Sequence, residues 1–325
     1  MSDRRLAALG SARKPLKRLR DLALRAHARL GYALGAPRPK QIVVCGYPRS
    51  GTSLLYNMLS ASLEGYLFGH FEVPCLQYVR DRGPFVSKRP LDVFALEKLV
   101  AHNVFDKRLY AVVVIRDLRG VLTSIHPRVP QDYFIGYDAS YEVGPDYPHG
   151  SKRLHPGIAA YYEQIERLSA LEGLTRVVVR YEDLVADPDA IQNRLAEALG
   201  VHFTRRFSTF HERPELHAYR YAGAERPVDA SRVRENDAID ASRRDRWRSP
   251  EHRSHIAAEF GAHPQLFEML RAYGYEPHDR WFEAFTGEAP ACAAAAAPRQ
   301  EGPERIREAA RKPQQAPRSP SKRRA

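Results

Sequence analysis

Residues 41–63 have the sequence QIVVCGYPRSGTSLLYNMLSASL. The segment begins with a continuous apolar run, Gln41 to Cys45, which is typical of a strand buried on both faces. After Thr52 the apolar residues recur at helical spacing, and Gly46 and Gly51 bound the turn between the two patterns. The segment therefore predicts a strand, a glycine-containing loop and a helix in direct succession.

Two further apolar runs predict buried strands, Ala111 to Ile115 and Arg176 to Val179. Helical spacing predicts helices over 157–170, 187–199 and 251–272. Because strands alternate with helices, the predicted fold class is α/β, with a mostly parallel central sheet flanked by helices, like that of P-loop nucleotide hydrolases.

The formal net charge of +12 is concentrated at the two ends of the chain. Residues 1–40 contain 11 Lys/Arg and 2 Asp/Glu, and residues 288–325 contain 9 Lys/Arg and 4 Asp/Glu. The body between them is slightly acidic, so a basic nucleic-acid-binding core is not indicated. We expect a basic amphipathic arm (1–40), one α/β domain (41–287) and a disordered basic tail rich in Ala and Pro (288–325).

The arm has apolar residues at helical spacing and basic residues on its other faces. The apolar positions are Leu16, Leu19, Leu22, Ala23, Ala26 and Leu30. Two interpretations remain open: the helix packs on the domain or is solvated, or it makes a peripheral contact with an anionic membrane surface. The chain has three widely spaced cysteines and no apolar stretch long enough to span a membrane, so we expect a cytoplasmic, reducing location.

The loop Gly46-Tyr-Pro-Arg-Ser-Gly-Thr-Ser53 would direct backbone N–H groups and a helix N-terminus at an anion. Its two glycines have the spacing of a P-loop, but Thr52 occupies the position of the Walker lysine and Arg49 lies inside the loop. A terminal phosphate or phosphosulfate suits this loop better than a magnesium-bound triphosphate. Arg116 follows the second predicted strand, at the carboxyl end where ligands bind in open α/β sheets. A salt bridge with Asp117 or Asp183 is the alternative role for this arginine.

These segments together resemble the sulfotransferases that use 3′-phosphoadenosine 5′-phosphosulfate (PAPS). Residues 47–55 look like the family's 5′-phosphosulfate loop, and 112–124 look like its 3′-phosphate motif. Residues 178–200 are similar to the strand and helix that usually follow, and Arg246-Trp-Arg248 resembles the late segment that closes over the nucleotide. The likeness extends over about 41–280, the whole core.

The resemblance implies a set of donor-binding residues: Pro48, Arg49, Ser50, Gly51, Thr52 and Ser53 for the 5′-phosphosulfate, and Arg116 and Ser124 for the 3′-phosphate. It implies PAPS as donor and a chemistry that needs no metal. Arg49 stands where cytosolic small-molecule sulfotransferases usually carry lysine. That departure is more like the branches that act on carbohydrates or on protein tyrosine. For Trp247, stacking on adenine and a core position remain open.

The acceptor hydroxyl needs a base, and the candidates are Glu72 and His70, with Glu72 preferred because family members with a glutamate base carry it about twenty residues beyond the loop. Lys88 lies in a segment that resembles the family's lysine segment and would steady the transferred group. The aromatic residues of 127–150 suit an ordered lid or substrate wall, although a disordered loop is the alternative.

The predicted function is sulfuryl transfer from PAPS to a hydroxyl, with a carbohydrate or glycolipid as acceptor. Two alternatives remain: a P-loop nucleotide kinase or NTPase, and a non-enzymatic nucleotide-binding interaction protein.

Overall fold

The structure is a computed structural model, and it describes residues 3–69, 72–125, 134–142, 153–212 and 239–287, without the side chains of 3–17. The strands are β1 (Lys40–Gly46), β2 (Leu67–Phe68), β3 (Phe85–Lys88), β4 (Arg108–Ile115), β5 (Ala139–Glu142), β6 (Arg153–Pro156) and β7 (Leu174–Arg180). The helices are α1 (Asp3–Ala33), α2 (Thr52–Ser62), α3 (Leu96–Ala101), α4 (Leu118–Leu122), α5 (Ile158–Arg167), α6 (Tyr181–Ala186), α7 (Pro188–Leu199), α8 (Arg253–Ala262), α9 (Gln265–Ala272) and α10 (Arg280–Thr286).

The central sheet has five strands in the order β2-β3-β1-β4-β7, and every described pairing within it is parallel. The predicted α/β fold class is therefore confirmed. The three strands predicted from apolar runs are β1, β4 and β7, which lie side by side. A short antiparallel hairpin of β5 and β6 lies outside this sheet.

Both faces of the sheet are covered, as the continuous apolar runs require. Ile42 and Val44 of β1 pack with α2 and α7 in one cluster of buried side chains. Val43 and Cys45 point to the other face, where α5, α8, α9 and α10 pack. Because successive side chains of a strand alternate between faces, four neighbouring residues of β1 contribute to two separate cores.

Sequence signals placed several helix ends correctly. The side chain of Asp187 accepts a hydrogen bond from the amide of Ala190 at 2.9 Å and caps α7, and Gly200 ends that helix with φ of 59°. The predicted single helix over 251–272 is wrong. The chain forms two helices instead, because Pro264 lacks an amide donor and disfavours helical geometry at His263.

The predicted arm contains α1, a helix of 31 residues that ends before Pro37 and Pro39. Among the described residues no helix is long and apolar enough to cross a membrane. The division at residue 40 stays a prediction, and the predicted tail, 288–325, lies outside the described residues.

Candidate functional site

The phosphate loop, residues 46–53, connects β1 to α2 at the carboxyl edge of the sheet. Gly46 has φ of 131°, and a Cβ there would lie 2.1 Å from the carbonyl oxygen of Val114. Gly51 has φ of 93°, and a Cβ there would lie 2.5 Å from the ring of Tyr181. Both positions therefore require glycine, since a side chain would be strained and would also collide with a neighbouring segment.

Ser50 anchors the loop to the sheet. Its fully buried hydroxyl lies 2.7 Å from the carbonyl oxygen of Tyr47 and 2.9 Å from that of Val114. This hydroxyl is thus engaged with the backbone and not with the space above the loop. The buried Thr52 begins α2 and the exposed Ser53 follows it, while no side-chain cap satisfies the helix N-terminus at Gly51. Such an uncapped N-terminus presents backbone N–H groups suited to an anion.

Arg49 has an unusual backbone conformation. Its φ is 64°, in the left-handed region that non-glycine residues rarely occupy. Its guanidinium Nε donates to Ser124 Oγ at 3.2 Å, and the neighbouring Pro48 is half-buried like Arg49 itself. The hydrogen bond joins two segments that are 75 residues apart in the chain.

Arg116 follows β4 and is 9% exposed. Its Nη1 donates to the carbonyl of Arg49 at 3.1 Å, and its Nη2 donates to the carbonyl of Arg243 at 2.7 Å. The guanidinium carbon lies 4.5 Å from the centre of the Tyr181 ring. The buried Nε has no hydrogen-bond partner among the described residues. Neither Asp117 nor Asp183 pairs with Arg116, so the salt-bridge alternative is wrong in the described structure.

A second group of side chains lies at the end of β3, next to β1. Lys88 is 6% exposed, and its ammonium group donates to Glu72 Oε1 at 3.0 Å and to Ser53 Oγ at 3.1 Å. The Glu72 side chain is 41% exposed, so its carboxylate faces open space while Lys88 holds it. The structure therefore brings Glu72, Lys88 and the phosphate loop together. His70, the other candidate base, lies outside the described residues.

Beneath this group lies a buried carboxyl, Asp92, which is 2% exposed and accepts a hydrogen bond from the amide of Cys75 at 2.8 Å. Burial raises the pKa of Asp92 to about 7, although the nearby Arg89 favours the ionised form. The negative charge of Glu72 raises the same pKa further. Asp92 is thus coupled electrostatically to Glu72.

In the wild type we expect the free energy of unfolding to fall as pH rises from about 4 to 7, and we expect Asp92→Asn to lack this fall. The folded pKa lies above the unfolded value, so the folded state binds the extra proton and stability falls as pH rises through that range. Three pKa units correspond to about 4 kcal/mol as an upper bound. The measurement is urea unfolding at several pH values, with Glu97→Gln, an exposed carboxyl on α3, as control. Parallel pH profiles for wild type and Asp92→Asn would contradict the assignment.

The sequence analysis missed residues 240–244, which lie over Arg116. The side chain of Asp240 accepts a hydrogen bond from the amide of Ser242 and forms an ion pair with Arg243 at 2.9 Å. The carbonyl oxygen of Arg243 accepts the hydrogen bond from Arg116. The resemblance had pointed a few residues further, to Arg246–Arg248. The basic run at 243–244 was the available signal, but nothing in the sequence distinguished it from a solvated charge cluster.

Trp247 lies in the core and is 3% exposed. The guanidinium of Arg119 lies 3.8 Å from its ring centre, and the rings of Trp281 and Phe285 meet it edge-on. Arg119 is itself fixed by a buried ion pair with Asp117 at 2.6 Å. The core position is thus the one that the structure shows. Stacking on adenine would require this ring to leave its packing.

The aromatic segment 127–150 is described only over 134–142. Phe134 is buried, and Tyr137 stacks on His263 with ring centres 4.2 Å apart. Tyr141 lies on β5 and packs against the main core. The described part is therefore ordered, but its aromatic rings are used for internal contacts. No group of side chains among the described residues has the composition of a metal site.

Comparison with known proteins gives one family match and several more distant similarities. The family model described as the sulfotransferase domain matches residues 39–220. The flavonol 4′-sulfotransferase of Flaveria chlorifolia is 25% identical over 193 residues, which are 51% of this chain and 57% of that protein. The chain thus spans little more than half the length of this curated relative.

Two solved structures are similar at low identity. The sulfotransferase domain of the Synechococcus PCC 7002 olefin synthase has a TM-score of 0.42 and 17% identity, over 74% of this chain and 96% of that domain. The sulfotransferase domain of the curacin biosynthetic pathway has a TM-score of 0.42 and 15% identity, over 73% and 98% respectively.

Proposed function

The chain belongs to the sulfotransferase domain family, and we propose that it transfers a sulfuryl group from PAPS to a hydroxyl of a carbohydrate. The observation that carries the proposal is the contact between two segments. Arg49 of the phosphate loop bonds to Ser124, and Arg116 bonds to the carbonyl of Arg49. One site thus combines an uncapped helix N-terminus with two cations at the carboxyl edge of the sheet.

The donor would lie along this edge. The N-terminus of α2, Arg49 and Ser53 suit the 5′-phosphosulfate, and the guanidinium charge of Arg116 with Ser124 suits the 3′-phosphate. Charge builds on the leaving phosphate oxygen as the bond to sulfur breaks, and Arg49 with the loop amides would stabilise it. The acceptor oxygen forms the new bond to sulfur and gives its proton to Glu72. Lys88, which contacts both Glu72 and Ser53, would hold the base beside the transferred group.

The acceptor class is the finer part of the proposal. A carbohydrate is supported by Arg49, which stands where cytosolic small-molecule sulfotransferases usually carry lysine and resembles the branches that act on carbohydrates or protein tyrosine. Phe134 and Tyr137 pack against other parts of the protein. The described part of the 127–150 loop therefore gives no further support for a carbohydrate acceptor. A phenolic acceptor is the second candidate, because the flavonol sulfotransferase is a relative of this chain.

The test is transfer of ³⁵S from labelled PAPS in EDTA to a panel of sugars, glycolipids and flavonols. We expect labelled sugar, with no dependence on magnesium. Label on flavonols alone would replace the carbohydrate by the phenol while keeping the reaction. Magnesium-dependent ATP turnover without sulfuryl transfer would overturn the reaction in favour of a kinase or NTPase. Tight binding of adenosine 3′,5′-bisphosphate without transfer to any acceptor would favour a non-enzymatic protein.

A further inference from the structure

Helix α1 is seated on the domain by one of its faces. The carboxylate of Asp21 accepts two hydrogen bonds from Arg80, at 3.0 and 2.7 Å, and the hydroxyl of Tyr32 donates to the carbonyl of Phe105 at 2.7 Å. Leu24 and Ala28 lie between these two positions, one helical turn from each other, and are also partly buried. These positions recur every three or four residues, so a single face of the helix contacts the domain.

The opposite face carries a leucine stripe that consists of Leu19, Leu22, Ala26 and Leu30. At 100° per residue these side chains lie within about 60° of one direction. Leu19 is 65% exposed, Leu22 61% and Leu30 60%, and Leu34 just beyond the helix is 80% exposed. The sequence analysis identified the apolar side of the helix correctly, but the domain is contacted by the other side. A contiguous apolar surface of this kind on a folded chain indicates an interaction site.

Basic residues flank the leucine stripe. Arg18 and Arg29 lie about 65 to 85° to one side of its centre, and Arg20 lies about 115° to the other. The side chains of Arg20 and Arg29 are 66% and 64% exposed, although Arg29 pairs with Asp106 of the domain at 3.3 Å and Arg20 lies 3.9 Å from Asp21. An apolar stripe with exposed arginine on both sides fits a surface whose interior is apolar and whose rim is anionic, which is the boundary layer of an acidic lipid bilayer.

We propose that α1 docks this protein on an anionic lipid membrane through the leucine stripe, with Arg18 and Arg20 on the lipid headgroups. The domain contacts of α1 set the orientation. Phe105 and Asp106 immediately precede β4, at the amino edge of the sheet, whereas the phosphate loop follows β1 at the carboxyl edge. The phosphate loop therefore lies at the opposite edge of the sheet from these contacts of α1.

The test uses the full chain and vesicles of phosphatidylcholine, with or without about one-third phosphatidylglycerol. We expect co-sedimentation with the anionic vesicles, weakened by salt. Leu22→Glu and Leu30→Glu should each lower the partition coefficient by about tenfold or more, because a charge replaces a side chain inserted in the bilayer. The matched control is Leu154→Glu on β6, whose wild-type side chain is 60% exposed, and its binding should be unchanged.

Arg18→Glu with Arg20→Glu should abolish the preference for anionic vesicles, while Arg167→Glu, an exposed reversal on α5, should preserve it. All these positions are exposed, so binding of adenosine 3′,5′-bisphosphate should be retained and shows that each variant is folded. Wild-type vesicle binding by the two leucine variants would overturn the proposal whether or not the chain transfers sulfate. A wild-type dimer in ultracentrifugation that Leu22→Glu dissociates, without a change in vesicle binding, would make the stripe a contact between copies and would also overturn it.

Discussion

Glu72→Gln is expected to lower kcat by about 10²- to 10⁴-fold. Binding of adenosine 3′,5′-bisphosphate should stay within about threefold of the wild type, because the carboxylate lies on the acceptor side of the phosphate loop and carries no donor contact in the proposal. Glutamine keeps the size and one oxygen acceptor of the side chain. The variant therefore removes the basic carboxylate while leaving a group that Lys88 Nζ can still contact.

The geometry gives this variant a second expected effect. Lys88 donates to both Glu72 and Ser53, so it connects the proposed base to the loop that would hold the donor. Loss of the negative charge removes the ion pair between Glu72 and the ammonium group of Lys88, a residue that is 6% exposed. Lys88→Met should therefore lower kcat as well, and the double variant should be less impaired than the two single effects combined, because residues that act as a unit are not additive.

The matched control is Glu64→Gln, an exposed glutamate beyond α2 that contacts none of the described site residues. Its kcat should equal that of the wild type. If Glu72→Gln turns over at near-normal rate while His70→Gln does not, the base is His70 and the preference for Glu72 was wrong. If both variants are active, the proton leaves by another group and neither candidate serves.

The core of the fold was predictable because its strands are buried on both faces. β1, β4 and β7 are recognisable because each contains a run of at least three consecutive apolar residues, which is typical of strands covered on both faces. Strand β3 was not predictable from the sequence. Its sequence FVSK ends in two polar residues, although all four residues are buried. Ser87 and Lys88 are buried by tertiary contacts at the carboxyl edge of the sheet. A local pattern cannot show such contacts.

The donor side of the candidate site was predictable to a greater extent than the acceptor side. The spacing of Gly46 and Gly51 and the strand-end position of Arg116 follow from local geometry, which the sequence expresses directly. That Ser50 would anchor the backbone, and that Arg116 would contact the segment around Arg243, depends on pairings between residues 64 and 127 positions apart. Hydroxyl and arginine side chains have many possible partners at such separations along the chain, so the sequence does not show which partners they contact.

Arg116→Ala is the prediction that tests the donor site most directly. We expect its affinity for adenosine 3′,5′-bisphosphate to fall by about 10- to 10²-fold, because the charge-assisted interaction of the guanidinium with the 3′-phosphate would be lost. Its affinity for AMP, which lacks that phosphate, should change by less than about threefold. Titration calorimetry of both nucleotides in EDTA gives the ratio of the two affinities, which is the quantity of interest.

The ratio is needed because Arg116 also has contacts within the protein. It supports the loop through the carbonyl of Arg49 and lies over the ring of Tyr181. Damage to these contacts would weaken the binding of both nucleotides alike and leave the ratio of the two affinities unchanged. Ser124→Ala removes only a hydroxyl and should shift the ratio in the same direction by about tenfold or less.

A matched arginine is available at the corresponding end of the neighbouring strand. Arg180 ends β7, and its guanidinium lies over the ring of Tyr275 at 4.2 Å, as that of Arg116 lies over Tyr181. Arg180→Ala should leave the nucleotide ratio unchanged, because no described contact connects it to the phosphate loop. If Arg116→Ala and Arg180→Ala have equal effects on the ratio, the cation at 116 contributes only general charge, and the 3′-phosphate must be sought elsewhere. A change confined to Arg116 would instead fix the adenosine end of the donor, and with it the direction in which the sulfuryl group faces Glu72.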